Sequence, residues 1–108
     1  MTIQEGRAGQ WTFLTNHALV LLCIARSPDT RLRDIAAAVS ITERAVQAII
    51  ADLEAAGYLT RTRVGRRNRY QLHSTQPLRH PLEREHEVED LFAVLAPAAE
   101  TESEDGGP

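Results

Sequence analysis

Apolar residues recur along most of the chain with the spacing of short helices. The first run lies within residues 16–26, where "ALVLLCIA" is apolar on every helical face and Thr15 stands in the N-cap position. A helix that is apolar all round must be covered on two sides. The pattern therefore predicts a helix with one side packed on its own domain and the other side on a further surface.

Two more helices are predicted around a tight turn. The first runs over residues 34–39, and Ser40–Ile41 leaves room only for a sharp corner. The second is capped by Thr42, extends over residues 42–56 and is ended by Gly57. Its apolar residues follow the i, i+3, i+4 rule of one buried stripe, and they are Ala45, Val46, Ile49, Ile50 and Leu53.

A basic hairpin is predicted next. The strand-like runs "YLTRTRV" and "RYQLH" flank "GRRN", in which Gly65 and Asn68 tolerate the positive φ of a turn. Tyr70 and Leu72 share a parity and are expected to face the core, with Arg69 on the opposite face. Five of the nine residues from 61 to 69 are arginine, which exceeds what protection of a strand edge requires.

The last third of the chain has a different pattern. Pro81 suits the first turn of a helix predicted over residues 82–95, which ends before Pro97. Its apolar stripe consists of Val88, Leu91, Phe92 and Leu95. Residues 97–108 contain four acids and no apolar anchor, so a disordered acidic tail is expected there. Residues 1–10 are expected to form a flexible arm.

Charge divides the chain into two parts. Residues 1–75 carry ten arginines and six acids, whereas residues 76–108 carry two arginines and nine acids, and together they give the net charge of −3. The excess of arginine in residues 1–75 favours an anionic partner, with nucleic acid as the leading candidate.

Composition and segment lengths are those of an ordinary globular protein, with 43% hydrophobic and 25% charged residues. The longest apolar run, residues 18–25, is far shorter than a membrane-spanning helix, and residues 1–10 lack the order of a signal peptide. A cytoplasmic protein without a membrane partner is therefore expected.

The lone cysteine, Cys23, lies inside the apolar run and is expected to be a core residue.

The order helix, helix, tight turn, helix, basic hairpin is that of a winged helix-turn-helix. The segment "LRDIAAAVSITERAVQAIIADLEAAGYLTRTRVGRRNRYQL" resembles the DNA-binding core of MarR/ArsR-type bacterial transcriptional regulators, and the likeness covers roughly residues 15–73. Ser40 stands where such turns often carry glycine. The expected fold is mainly α with a small β-hairpin, a winged helix-turn-helix over residues 11–75 with an additional C-terminal dimerisation helix within residues 76–96.

The resemblance implies sequence-specific binding to double-stranded DNA, with helix 42–56 in the major groove and the arginine-rich wing 61–69 on the minor groove or backbone. Gln47 suits adenine and Arg44 suits guanine, while Glu43 either accepts a hydrogen bond from cytosine or repels phosphate. The expected DNA-binding residues are Arg31, Arg33, Thr42, Glu43, Arg44, Gln47, Arg61, Arg63, Arg66, Arg67 and Arg69.

Terminal helices of such regulators build a two-fold dimer, and a homodimer is expected here. The expected dimerisation residues are Trp11, Leu82, Val88, Leu91, Phe92 and Leu95. The alternative is that helix 82–95 packs on helix 16–26 of its own chain. A dimer would place two recognition helices about one DNA turn, ~34 Å, apart on a pseudo-palindromic site.

Other functional classes have less support. The sequence has no phosphate-binding glycine loop and no nucleophile with a suitable base, so it predicts no enzyme and no cofactor. His86 shares a helical face with acids, but the amphipathic pattern assigns that face to solvent, and no metal site is expected.

Two alternatives stay open. One is an unidentified small-molecule effector in a pocket bordered by Trp11 and Phe13. The other is a protein–protein interaction module without specific DNA binding.

Overall fold

The structure, a computed structural model, describes residues 11–95. These residues form four helices and one two-stranded sheet in the order α1 (Asn16–Arg26), α2 (Leu32–Val39), α3 (Glu43–Ala55), β1 (Leu59–Val64), β2 (Arg67–Leu72) and α4 (Val88–Leu95). Helices α1, α2 and α3 pack on one another, and the antiparallel hairpin follows α3. The mainly α winged helix predicted by the sequence is confirmed. The arm and the acidic tail lie outside the described residues.

Side-chain caps fix the starts of α1 and α3. The Thr15 hydroxyl accepts a hydrogen bond from the Ala18 amide at 3.1 Å, and the Thr42 hydroxyl accepts one from the Ala45 amide at 3.0 Å. Each cap satisfies an amide that has no partner inside its helix. At the other end of α3, Gly57 has a φ of +86° and stops the helix, as the sequence predicts.

The corner between α2 and α3 contains a strained residue. Ser40 adopts the left-handed conformation with a φ of +67°, and the Ser40 and Ile41 amides both donate to the Ala36 carbonyl, at 2.8 and 3.0 Å. A residue with a side chain loses about 1–2 kcal/mol in this conformation. The corner therefore has the geometry that glycine would adopt without strain, although serine stands there.

All four helices and both strands contribute buried residues to one hydrophobic core, and the tip of the hairpin lies outside it. Its buried members are Val20, Leu21, Ile24, Ile35, Ala36, Val46, Ile49, Ile50, Leu53, Tyr58, Leu59, Tyr70 and Val88. On α1 this accounts for one side of the helix only. Leu19 and Leu22 are half-buried and lie outside the core cluster. Helix α1 therefore packs one apolar side on its own domain, as the sequence predicts. That a further surface covers the other side stays a prediction.

The hairpin is closed by a two-residue loop, Gly65–Arg66, between the paired residues Val64 and Arg67. Gly65 has a φ of +64°, and a positive φ at the first loop position alone is the pattern of a type II′ turn. The expected role of Asn68 in the turn is wrong, because Asn68 lies within β2 and pairs with Arg63. A type II′ turn needs its special residue only at the first position, so the glycine suffices.

The predicted helix 82–95 is wrong in its first half, because α4 begins only at Val88. The preceding residues form turns, and the chain folds back so that the Leu78 amide donates to the His86 carbonyl and the Val88 amide to the Gln76 carbonyl, both at 2.9 Å. Leu82 is the one apolar residue of the stretch 82–87, and it is 88% exposed. A helix over that stretch would bury nothing, whereas the folded-back chain satisfies its backbone groups.

The observed start of α4 has its own local signal. The Asp90 carboxylate accepts a hydrogen bond from the Glu87 amide at 2.9 Å. This contact is the half of a capping box in which the third helical residue reaches back to the N-cap amide. Glu87 is thus the N-cap residue, and Pro81 lies in a turn rather than in a first helical turn.

Candidate nucleic-acid interface

A groove of about 440 Å³ lies between the N-terminal ends of α2 and α3 and the tip of the hairpin. We call it the arginine groove, and its lining residues are Thr30, Arg31, Leu32, Arg33, Glu43, Arg66, Arg67, Asn68 and Tyr70. Four of these residues are arginines and one is an acid. The amides at both helix N-termini add positive partial charge to the same groove. The groove is therefore suited to an anion such as a backbone phosphate.

Carboxylates pair with only part of the positive charge. The pairs are Arg31–Asp34 at 3.0 Å, Arg61–Glu54 at 3.5 Å and Arg69–Asp29 at 3.6 Å. These pairs are exposed except for the half-buried Glu54, and exposed pairs contribute about 0.2–1 kcal/mol each. Within residues 11–95, the other five predicted DNA-binding arginines have no carboxylate partner, and they are Arg33, Arg44, Arg63, Arg66 and Arg67. Their charge is available to an anionic ligand.

The hairpin is attached to the segment between α1 and α2. The Arg67 guanidinium donates to the Asp29 carbonyl at 2.6 Å, and the Tyr70 amide donates to the Pro28 carbonyl at 3.2 Å. The Arg69 ion pair with the Asp29 carboxylate adds a third contact. The hairpin therefore keeps a fixed position relative to α2. Sequence reasoning missed Asp29, because its partners lie about 40 residues away and no local pattern links them.

The first two turns of α3 present the predicted base-reading residues. Glu43, Arg44 and Gln47 are all exposed, and Arg44 and Gln47 lie three residues apart on one face. Thr42 is also exposed, and its hydroxyl oxygen accepts the cap bond of α3. Glu43 lines the arginine groove. The structure thus places the start of α3 beside the arginine groove.

The arginines of the hairpin do not form a single cluster. Arg61 lies opposite Tyr70 and Arg63 opposite Asn68, so both belong to the face of the hairpin that carries Tyr70. Arg69 lies opposite Thr62 on the other face. Only the arginines at the tip, Arg66 and Arg67, line the arginine groove together with Arg31 and Arg33.

A second groove, of about 870 Å³, lies at the opposite end of α3, and we call it the C-terminal groove. It is formed by the start of α1, the last turn of α3, the chain around residues 78–83, and α4. Within it, His17 Nε2 lies 2.8 Å from Asp52 Oδ2 and links α1 to α3. The Tyr58 hydroxyl donates to the Pro77 carbonyl at 2.7 Å, and burial raises the pKa of Tyr58, which keeps the phenol in its donor form.

The predicted dimerisation residues separate into two groups. Trp11 and Leu82 are 72% and 88% exposed, and Leu91 and Leu95 are half-buried. Val88 is only 2% exposed because its own chain covers it, so it offers no surface to a second chain. Phe92 also packs against the core of its own chain. Helix α4 packs on α1, which is the alternative arrangement that the sequence left open.

A metal site and a membrane-spanning helix each place specific requirements on the described residues. Residues 11–95 contain no group of three or more His, Cys, Asp or Glu side chains positioned to hold a metal ion. No helix in this range has the length and apolar character needed to cross a bilayer.

Cys23 is half-buried, and burial raises the pKa of its thiol against the opposing effect of the Arg26 charge.

A comparison with protein families agrees with this geometry. The model of the MarR family matches residues 12–69, which is more than half of the 108-residue chain. No curated protein matches the sequence. The matched range covers α1, α2, α3 and most of the hairpin, which are the elements that surround the arginine groove. The chain therefore belongs to the MarR family, whose members are winged-helix DNA-binding transcriptional regulators rather than enzymes.

Proposed function

We propose that the protein is a sequence-specific regulator that binds double-stranded DNA as a homodimer. In this proposal, α3 enters the major groove, and the hairpin acts as a wing on the adjacent minor groove or backbone. The observation that carries the proposal is the arginine groove, because it combines four arginines with the N-terminal ends of two helices, one of which is α3.

The groove and the wing supply the affinity. Each arginine that neutralises a phosphate releases bound counterions, and this sequence-independent effect dominates nonspecific binding. Arg33 and Arg66 approach the groove from α2 and from the wing without a carboxylate partner among the described residues. The contacts of Arg67 and Tyr70 with residues 28–29 hold the wing in place before DNA binds. Less conformational freedom is then lost on binding.

The exposed face of α3 supplies the specificity. Arg44 and Gln47 are exposed on one side of its first two turns. Arginine pairs in bidentate fashion with guanine and glutamine with adenine, and each such pair discriminates against a wrong base by about 1–3 kcal/mol. Glu43 is the one acid that lines the arginine groove, and its carboxylate can accept a hydrogen bond from the amino group of cytosine.

The homodimer is supported by apolar side chains that residues 11–95 leave partly or largely exposed. Leu19 and Leu22 of α1 are half-buried and lie outside the core. Trp11 and Leu82 are largely exposed. A symmetric dimer would cover such surface and present two copies of α3 to successive major grooves.

Binding-site selection from a pool of random duplexes tests the proposal. The wild-type protein is expected to enrich a two-fold symmetric site and to bind it more tightly than a scrambled duplex. Gln47→Ala should lower the ratio of specific to nonspecific affinity by roughly 5-fold to 160-fold for each half-site, because each lost base contact is worth about 1–3 kcal/mol and the dimer loses two. Gln71→Ala is the matched control, since Gln71 is exposed on β2 and does not line the groove.

The outcomes separate the open alternatives. Equal affinity for selected and scrambled duplexes would show that the protein does not read sequence. A monomer that binds no duplex even at low salt would instead favour an interaction module whose basic wing docks on an acidic protein.

A further inference from the structure

The segment before α1 carries two exposed aromatic side chains. Trp11 is 72% exposed and Phe13 is 91% exposed. Their rings stack edge to face, with centroids 5.1 Å apart and planes at 83°. This geometry is favourable for an aromatic pair and holds the two rings as one unit. The unit, which we call the aromatic pair, is an apolar projection that the described residues 11–95 leave largely exposed.

The aromatic pair stands at the rim of the C-terminal groove without filling it. Phe13 is among the lining residues, yet 91% of its surface remains open. The groove measures about 870 Å³ and is lined mainly by apolar side chains, among them Leu14, Ala18, Leu21, Leu53, Leu78 and Leu91. One face of the protein therefore carries both an apolar projection and an apolar cavity next to it.

We propose that in the homodimer the aromatic pair of each copy docks in the C-terminal groove of the other copy. The inference rests on the proposed homodimer and specifies its contact surface. A two-fold interface brings the same patch of both chains together, so a projection beside a cavity is self-complementary under that symmetry. A second copy of this chain is thus the partner that offers the matching shape.

The charges around the groove also suit a second copy. Arg79 and Glu83 lie on its border, whereas His17 and Asp52 contact each other within one chain. Because both signs are present, two copies related by a two-fold axis can oppose unlike charges. Charge complementarity of this kind sets register and suppresses wrong partners.

The area is large enough for a stable dimer. Aromatic side chains bury about 150–250 Å² each, so the exposed parts of Trp11 and Phe13 amount to roughly 300–400 Å² per copy. Two copies, together with the groove walls that they cover, bury roughly 1,100–1,300 Å² in total, which is at the lower limit of the range of about 1,200–2,000 Å² for specific complexes. Docking of the aromatic pair therefore supplies about the smallest area that a specific dimer needs.

The position of the groove is compatible with DNA binding. The C-terminal groove contacts the last turn of α3, whereas the arginine groove contacts its first residue, Glu43. The 13 residues of α3 separate the two sites by roughly 18 Å. A copy docked at one end of α3 leaves the other end free for DNA.

The sequence provides a direct reporter of this contact, because Trp11 is its only tryptophan. The full-length protein is diluted through its dimer dissociation range while sedimentation equilibrium measures mass and fluorescence measures Trp11 emission. We expect the emission to shift to the red on dilution with the same midpoint as the change in mass. A dimer whose Trp11 emission stays that of an exposed indole at every concentration would overturn the inference and leave the homodimer intact. A monomer at every concentration would reject the homodimer itself.

Two substitutions test the projection and the cavity separately. Phe13→Ala keeps the reporter and should raise the dimer dissociation constant at least about tenfold, as loss of a central aromatic contact does. Ala55→Arg places a long side chain in the groove from the exposed end of α3 and should have a similar effect. Ala51→Arg is the matched control, because Ala51 is exposed one turn earlier on α3 and does not line the groove. Circular dichroism verifies that each variant is folded. Equal dimer affinity of the folded Ala55→Arg and Ala51→Arg variants would contradict the inference.

Discussion

Replacement of Arg66 by alanine tests whether the wing tip binds phosphate. Arg66 occupies the second position of the hairpin loop, is exposed and lines the arginine groove. Within residues 11–95 it pairs with no carboxylate. Arg67 is unsuitable for this test, since its guanidinium holds the wing against the Asp29 carbonyl. Arg66→Ala therefore removes a charge while the wing keeps its attachment.

The size of the effect follows from counterion release. Each phosphate contact contributes about −0.9 to the slope of log K against log salt concentration. A dimer loses two Arg66 contacts, so its slope should become less steep by about 1.8. Between 50 and 200 mM salt, a fourfold change, the ratio of wild-type to variant affinity should then shrink about twelvefold. The defect is thus largest at low salt.

Fluorescence anisotropy with a labelled duplex measures both slopes. Arg84→Ala serves as the control, because it makes the same change in net charge at an exposed residue that lines neither groove. Its slope should match that of the wild type. If the ratio of wild-type to Arg66→Ala affinity stays constant across the salt range, Arg66 does not contact phosphate and the proposed place of the wing is wrong.

Three further predictions concern stability and reactivity. Val88→Ala should lower the free energy of unfolding by about 2 kcal/mol in urea titrations, because Val88 is 2% exposed. Leu82→Ala should change it by less than about 0.5 kcal/mol, because Leu82 is 88% exposed. Equal effects of the two substitutions would contradict the start of α4 at Val88 and favour a helix over 82–95. Ser40→Gly should raise the free energy of unfolding by about 0.5–1 kcal/mol, since the φ of +67° strains serine more than glycine, and a loss of stability would contradict that conformation. Because burial raises the pKa of Cys23, its alkylation should begin at a higher pH than that of a free thiol, and an equal onset would argue against this burial.

Local signals were sufficient for the elements that surround the arginine groove. Thr15 and Thr42 cap helices at the predicted positions, and Gly57 ends α3 with a positive φ. These residues act through hydrogen bonds and dihedral angles that involve only a few neighbours in sequence. The exposed face at the start of α3 follows from the same helical periodicity that identified its buried stripe.

Features that depend on distant partners escaped sequence reasoning. The helix expected from residue 82 was wrong because the backbone near Leu78 pairs with that near His86, a contact no helical pattern contains. The attachment of the wing to Asp29 joins residues about 40 positions apart. The placing of Val88 among the dimerisation residues has the same cause. Periodicity identifies an apolar stripe but does not show that the same chain covers Val88.

The two grooves share one rigid element, because α3 begins at the arginine groove and ends at the C-terminal groove. A change in the orientation of α3 at one groove would therefore also move its other end. A rotation of only about 5° about its C-terminal end moves its first residues by roughly 1.5 Å, the scale of helix shifts that switch protein interfaces. We therefore expect substitutions at Ala55, which lines only the C-terminal groove, to change the affinity for DNA as well as the dimer affinity.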